Sequence, residues 1–209
     1  MRITLPRTAN IPVTLSSGSY YFKITGSTGH VTKNSLWDAA TTPYPDSSMT
    51  NLFNSYKDDD SVTLDANSDG GWNVAFLGST YSTLYISGNL NFAFGSPNDN
   101  NGANNDPNTG GVPTIQIGSN DSCLLEVWTT TLGSPGNRVL IYKVRGNTWY
   151  SNRSVNYEYD IYFYEGNGNI DVVVSQEPTD LYAYAAWNYT GSVAGIWGVT
   201  NGTNWVDGL

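Results

Sequence analysis

The sequence predicts an all-β protein: an antiparallel two-layer β-sandwich, jelly-roll-like, with an N-terminal strand arm and one short helix. Three observations predict it. Apolar and polar residues alternate over many short runs, the period-two signature of half-buried strands. Turn residues separate those runs, and the chain carries 22 glycines. Only 13% of residues are charged, so Gly, Asn, Ser and Thr supply the polarity, as suits strands and tight turns rather than helices. The 209 residues suffice for one large β domain, and 28 aromatics (7 Trp, 15 Tyr and 6 Phe) can fill its core.

The first segment alternates at Ile11, Val13 and Leu15 in "IPVTL", then at Tyr20, Phe22 and Ile24 in "SYYFKIT". These strands make residues 1–45 an arm. The turn-rich "TTPYPDSS" sets a boundary near Pro45, and residues 46–209 form the sandwich. "DSSMTNLFNSYK" is the best helical window. Met49, Leu52, Phe53 and Tyr56 fall at i, i+3, i+4 and i+7, and Asp46 or Ser47 can cap it.

Strand patterns then dominate. Val62 shares a face with Leu64, and Trp72 with Val74 and Phe76. In "TLYISGNLNFAFG", Leu84, Ile86, Leu90, Phe92 and Phe94 all fall on even positions, with Gly88 as a kink or turn that keeps the phase. Ile115 and Ile117 make a short strand and "CLLEVWTT" a longer one. "RVLIYKVRG" buries either Leu140, Tyr142 and Val144 or Val139 and Ile141. "NYEYDIYFYEGNGNIDVVV" reads as a hairpin. Tyr157, Tyr159, Ile161 and Phe163 point one way, and Glu158, Asp160, Tyr162 and Tyr164 the other. The polar "SPNDNNGANNDPNTGG" has nothing to bury and reads as an exposed, mobile loop.

Charge and cysteine usage narrow the function. The net charge is −9, and the nine Lys and Arg are scattered, which argues against nucleic acid as a partner. Cys123 is the one cysteine, so no internal disulfide forms; beside Leu124 and Leu125 it reads as a buried structural thiol. "MRITLPRTANIPVTL" has no apolar run of signal-peptide length, and nothing downstream approaches a membrane span. The expectation is synthesis in a cytoplasm and no membrane partner.

Candidate chemistry is sparse. Asp65, Asn67 and Asp69 in "DANSDG" have the spacing of the front half of a calcium loop, but the glutamate that would complete it is replaced by Phe76; a plain Asx turn is the alternative. With one His (His30) and one Cys, zinc is not expected. Glu158 and Asp160 share a strand face at a spacing of ~7 Å, inside the roughly 5–10 Å range of glycosidase carboxylate pairs. Acidic residues are equally ordinary on the outer face of a half-buried sheet, and no catalytic residue is assigned. Tyr162, Tyr164, Trp187, Tyr189, Trp197 and Trp205 are candidates for glycan platforms or for a subunit interface.

Three segments taken together carry a family resemblance. They are "FLGSTYSTLYISGNLNFAFG", "VPTIQIGSNDSCLLEVW", and "RVLIYKVRGN" through "VNYEYDIYFYEGNGNIDVVV" to the closing "GIWGVTNGTNWVDG". From about Trp72 to Leu209 the chain resembles a β-sandwich module of tailed-bacteriophage structural proteins, notably tail, fibre and virion-surface proteins of cyanophages. The resemblance implies a non-enzymatic structural role without cofactors. Expected partners are other virion proteins, further copies of the chain (a trimer first) and a host glycan. Expected localisation is the virion, after synthesis in the host cytoplasm. The other function carried forward is a carbohydrate-binding module that recognises host surface polysaccharide.

Overall fold

The structure is a computed structural model, and it describes residues 20–25, 30–34, 48–98, 112–117, 122–147, 150–151, 153–155, 157–176, 198–201 and 205–207. Alternation in the sequence becomes two antiparallel sheets. One runs, in spatial order, β2 (His30–Asn34), β1 (Tyr20–Thr25), β13 (Ile170–Gln176), β12 (Tyr157–Tyr164), β11 (Val139–Asn147), β10 (Cys123–Leu132) and β3 (Thr50–Lys57). The other runs β15 (Trp205–Asp207), β14 (Gly198–Asn201), β9 (Pro113–Gln116), β8 (Asn91–Phe94), β7 (Thr83–Ser87) and β4 (Ser61–Asp65). A separate hairpin pairs β5 (Val74–Phe76) with β6 (Ser79–Tyr81). The helix α1 (Ala66–Gly70) follows β4. This is the two-layer sandwich that the alternation predicts. The strands β1 and β2, which lie before Pro45, extend the larger sheet through the β1–β13 pairing.

Aromatic rings join the two layers. Phe92 of β8 meets Phe163 of β12 at 5.5 Å and Tyr142 of β11 at 6.1 Å between ring centroids. Phe94 stacks on Phe76 at 4.0 Å, which brings the β5–β6 hairpin onto the end of the core. All five even-numbered residues from Leu84 to Phe94 named above are buried. In β11 the inward set is Leu140, Tyr142 and Val144, and in β12 it is Tyr157, Tyr159, Ile161 and Phe163. Cys123 is fully buried, and burial pushes its thiol up to about 11, so it stays protonated and unreactive at neutral pH.

Two elements differ from the sequence reading. The window over Met49 to Tyr56 is strand β3, not a helix. Its pairing with β10 is irregular between Leu124 and Glu126 and again between Val127 and Trp128. Each bulge sets two successive residues on one side. The burial of β3 therefore falls in pairs, with Leu52 and Phe53, then Tyr56 and Lys57, half-buried, and this imitates helical spacing. The helix lies instead over "ANSDG". Asp65 caps it, its side chain accepting from the backbone N–H of Asn67 and Ser68 at 3.0 and 3.1 Å.

A clamp fixes one end of the larger sheet. Glu165, in the β12–β13 turn, accepts from Arg138 Nη2 at 2.6 Å and Nε at 2.8 Å, and from the backbone N–H of Gly136 at 2.7 Å. Arg138 also lies over the Trp72 ring at 4.9 Å and donates to the Gly71 carbonyl. Hydrogen bonds from Arg138 hold the Glu165 carboxyl down at about 2, below the ordinary 4.5. Its contribution to stability is complete above pH 4.5 and drains away as pH falls towards 2. Glu165→Gln should therefore flatten the acid limb of a pH–stability curve in that window, measured by denaturant titration. A second test concerns Gly146, where a Cβ would stand 2.2 Å from both the Cys123 carbonyl and the Tyr157 hydroxyl. Gly146→Ala should cost about 1–3 kcal/mol, read as a melting temperature lowered by several degrees.

Candidate functional site

The hairpin of β12 and β13 presents its second face away from the core, and neighbouring strands extend that face by register. Glu126, Arg145 and Glu158 stand side by side across β10, β11 and β12. The next row is Trp128, Lys143, Asp160 and Val173, and the next sets Ile141 beside Tyr162 and Asp171. Period-two alternation puts these residues together because each strand devotes its other face to the core.

The charges on this face are matched across strands. Arg145 lies between two carboxylates, 3.1 Å from Glu126 and 3.4 Å from Glu158. Trp128 Nε1 donates to the same Glu126 oxygen at 3.2 Å. Lys143 Nζ lies 2.9 Å from Asp160 Oδ2, and the Tyr162 hydroxyl donates to that oxygen at 3.2 Å. Burial pushes the Asp160 carboxyl up, and Glu158 adds to the rise, while Lys143 and Tyr162 oppose it. Burial also pushes the Tyr162 hydroxyl well up, with Asp160 adding to the effect.

The sequence reading allowed an ordinary outer sheet face here, with Tyr162 and Tyr164 as glycan or interface candidates. Asp160 is 4% exposed and Asp171 7% within the single chain. Both carboxylates considered for glycoside hydrolysis are held by a cation on β11. Tyr162 and Tyr164 are half-buried on the same face. Trp205 begins β15, opposite Thr200, in the other sheet. Trp187, Tyr189 and Trp197 lie outside the described residues.

The candidate calcium residues have other duties. Asp65 caps α1 and accepts from the Ser68 hydroxyl at 3.0 Å. Asp69 accepts from the buried Tyr142 hydroxyl at 2.8 Å, which ties the helix to β11. Asn67 supplies the carbonyl that accepts the helix-ending N–H of Gly71. Among the described residues no three His, Cys, Asp or Glu side chains gather to hold an ion. No helix among them is long and apolar enough to cross a membrane.

Sequence reasoning missed a second polar cluster, which is buried. Asn89 is fully buried; its amide donates to Asp59 at 3.2 Å, and its oxygen accepts from the Ser122 N–H at 3.1 Å. Asn91 donates to the Asn98 carbonyl at 3.1 Å, and Asn98 donates to Thr114 at 3.0 Å. Asn98 belongs to the segment expected to bury nothing, yet it is 3% exposed. The available signal was asparagine at odd positions of an otherwise apolar strand run, beside Gly88. A Cβ at Gly88 would stand 2.1 Å from the Asp58 carbonyl, so only glycine permits this close approach.

Arg145 is the residue on which the paired face tests most simply. Arg145→Ala leaves two half-buried carboxylates facing each other and should cost about 1–3 kcal/mol. Glu126→Gln or Glu158→Gln leaves Arg145 its other carboxylate and should cost less than about 1 kcal/mol. Chemical denaturation midpoints measure the difference.

Comparison with known proteins gives one match. The family described as NIDO related matches residues 36–204, from just after β2 to just before β15. No curated protein matches, and no solved structure matches. The description names neither a particle nor a ligand. The matched span takes in the core strands of both sheets, α1 and the charged face, so the chain belongs to the NIDO-related family.

Proposed function

We propose that the protein is a non-enzymatic structural component of a phage particle, in a tail, a fibre or another virion-surface appendage. The observation that carries the reading is the state of the acidic outer face of the larger sheet. Glu158 and Asp160 are each tied to a β11 cation, so the face braces strands instead of presenting a free acid and base to a substrate. The resemblance of Trp72–Leu209 to virion modules supplies the setting. In this reading copies of the chain associate, as a trimer, and contact other virion proteins. Residues 1–45 are the docking arm, anchored where β1 pairs with β13. The protein needs no cofactor for this role and resides in the virion.

A second reading, a carbohydrate-binding module for host polysaccharide, has its support in Tyr162, Tyr164 and Trp128. These rings are half-buried on one face beside carboxylates, an arrangement that suits stacking on a sugar. A glycan array tests this second reading: it expects hits that Tyr164→Ala weakens, and an array without hits would remove it.

The direct test is gold-labelled antibody against the full chain on purified particles, with light scattering on the isolated protein. Label at one fixed position on the particle and a mass of three chains are expected. Chain recovered only in the soluble lysate, with particles unlabelled, would overturn the structural role.

A further inference from the structure

The row Trp128, Lys143, Asp160 and Val173 sets an amine and a carboxyl between two apolar side chains on four adjacent strands. Lys143 and Asp160 are direct cross-strand partners, so their side chains leave the sheet at the closest spacing that pairing offers. The amine lies 2.9 Å from Asp160 Oδ2, with side-chain exposures of 16% and 6%. Val173 at the end of the row is 1% exposed, and Ile141, on the same face, is 6% exposed. Asp160 Oδ1 is buried and has no hydrogen-bond partner among the described residues.

We propose that Lys143 and Asp160 join covalently, as an intramolecular amide between Nζ and Cγ that staples β11 to β12.

The surroundings favour this condensation in three ways. Burial raises the Asp160 carboxyl and so favours its neutral acid form. The Tyr162 hydroxyl donates to Oδ2 at 3.2 Å and so assists the departure of that oxygen. The fixed register supplies proximity without further ordering cost.

The atoms balance without an outside reagent. The Lys143 ammonium gives one proton to Asp160 Oδ2, leaving a free amine and a carboxylic acid. The nitrogen lone pair attacks Cγ. As the tetrahedral centre collapses, the Cγ–Oδ2 bond breaks, and that oxygen departs as water carrying a second nitrogen proton. The third proton remains on the amide nitrogen, and Oδ1 becomes the amide carbonyl. Nothing is oxidised or reduced.

The test is the intact mass of the denatured full-length chain. The wild-type protein should weigh less than its sequence by one water. Lys143→Arg and Asp160→Ala should both return to the full calculated mass. A protease digest should hold a branched peptide joining the Lys143 and Asp160 segments, with no cleavage after Lys143. Wild-type chain at its full calculated mass would overturn the proposal. So would a water loss that maps elsewhere, such as to Asp69-Gly70 or Asp207-Gly208. The wild-type measurement decides the matter even where a variant fails to fold.

Discussion

The two sheets are held at their distance by rings. Phe92 reaches from β8 to Tyr142 and Phe163, and Phe94 makes an edge contact with Phe163 at 6.3 Å. A ring removes far more surface from water than an aliphatic side chain does, and its edge-to-face preference fixes the angle as well as the separation. Once Tyr142 and Phe163 are committed inward, the sides of β11 and β12 are settled. A slip of one residue would carry every charged partner into the core and every ring out of it. The matched charges on the outer face are thus a consequence of where the rings go.

Polar contacts then fix the sheet at its ends. The Arg138–Glu165 clamp locks the turn after β12 against the turn before β11 and reaches the end of α1. At the other end Asn89 joins β3, β7 and β10 by bonding Asp59 and Ser122. Both sets are local in space but distant in sequence, so they stabilise the folded register without stabilising any fragment of it.

Much of the framework was legible in the sequence because a half-buried strand writes its partner's position as alternation. Leu84 through Phe94 and the β12–β13 hairpin are of this kind, and their buried sides were read correctly. β3 was misread because bulges in its pairing break the alternation, and Asn51, Asn54 and Ser55 gave no contrary strand preference. α1 was missed because its five residues are too short to show a period; its cap, Asp65, carries the same spacing that suggests a metal loop. The site was half legible. Which residues share the outer face follows from parity. That Asp160 is buried there does not, since it depends on Lys143, from a strand that only the folded pairing brings close. Asn98 was invisible for the same reason: its partners Asn91 and Thr114 lie across a loop.

The irregular edge of the larger sheet has a bearing on crowding. β3 offers an outer rim whose backbone groups are out of step, because two kinks in its pairing with β10 bend the line of donors and acceptors. A second chain laid along that rim finds no continuous ladder to extend. A copy meeting this one along that rim is thus hindered from pairing strand to strand there.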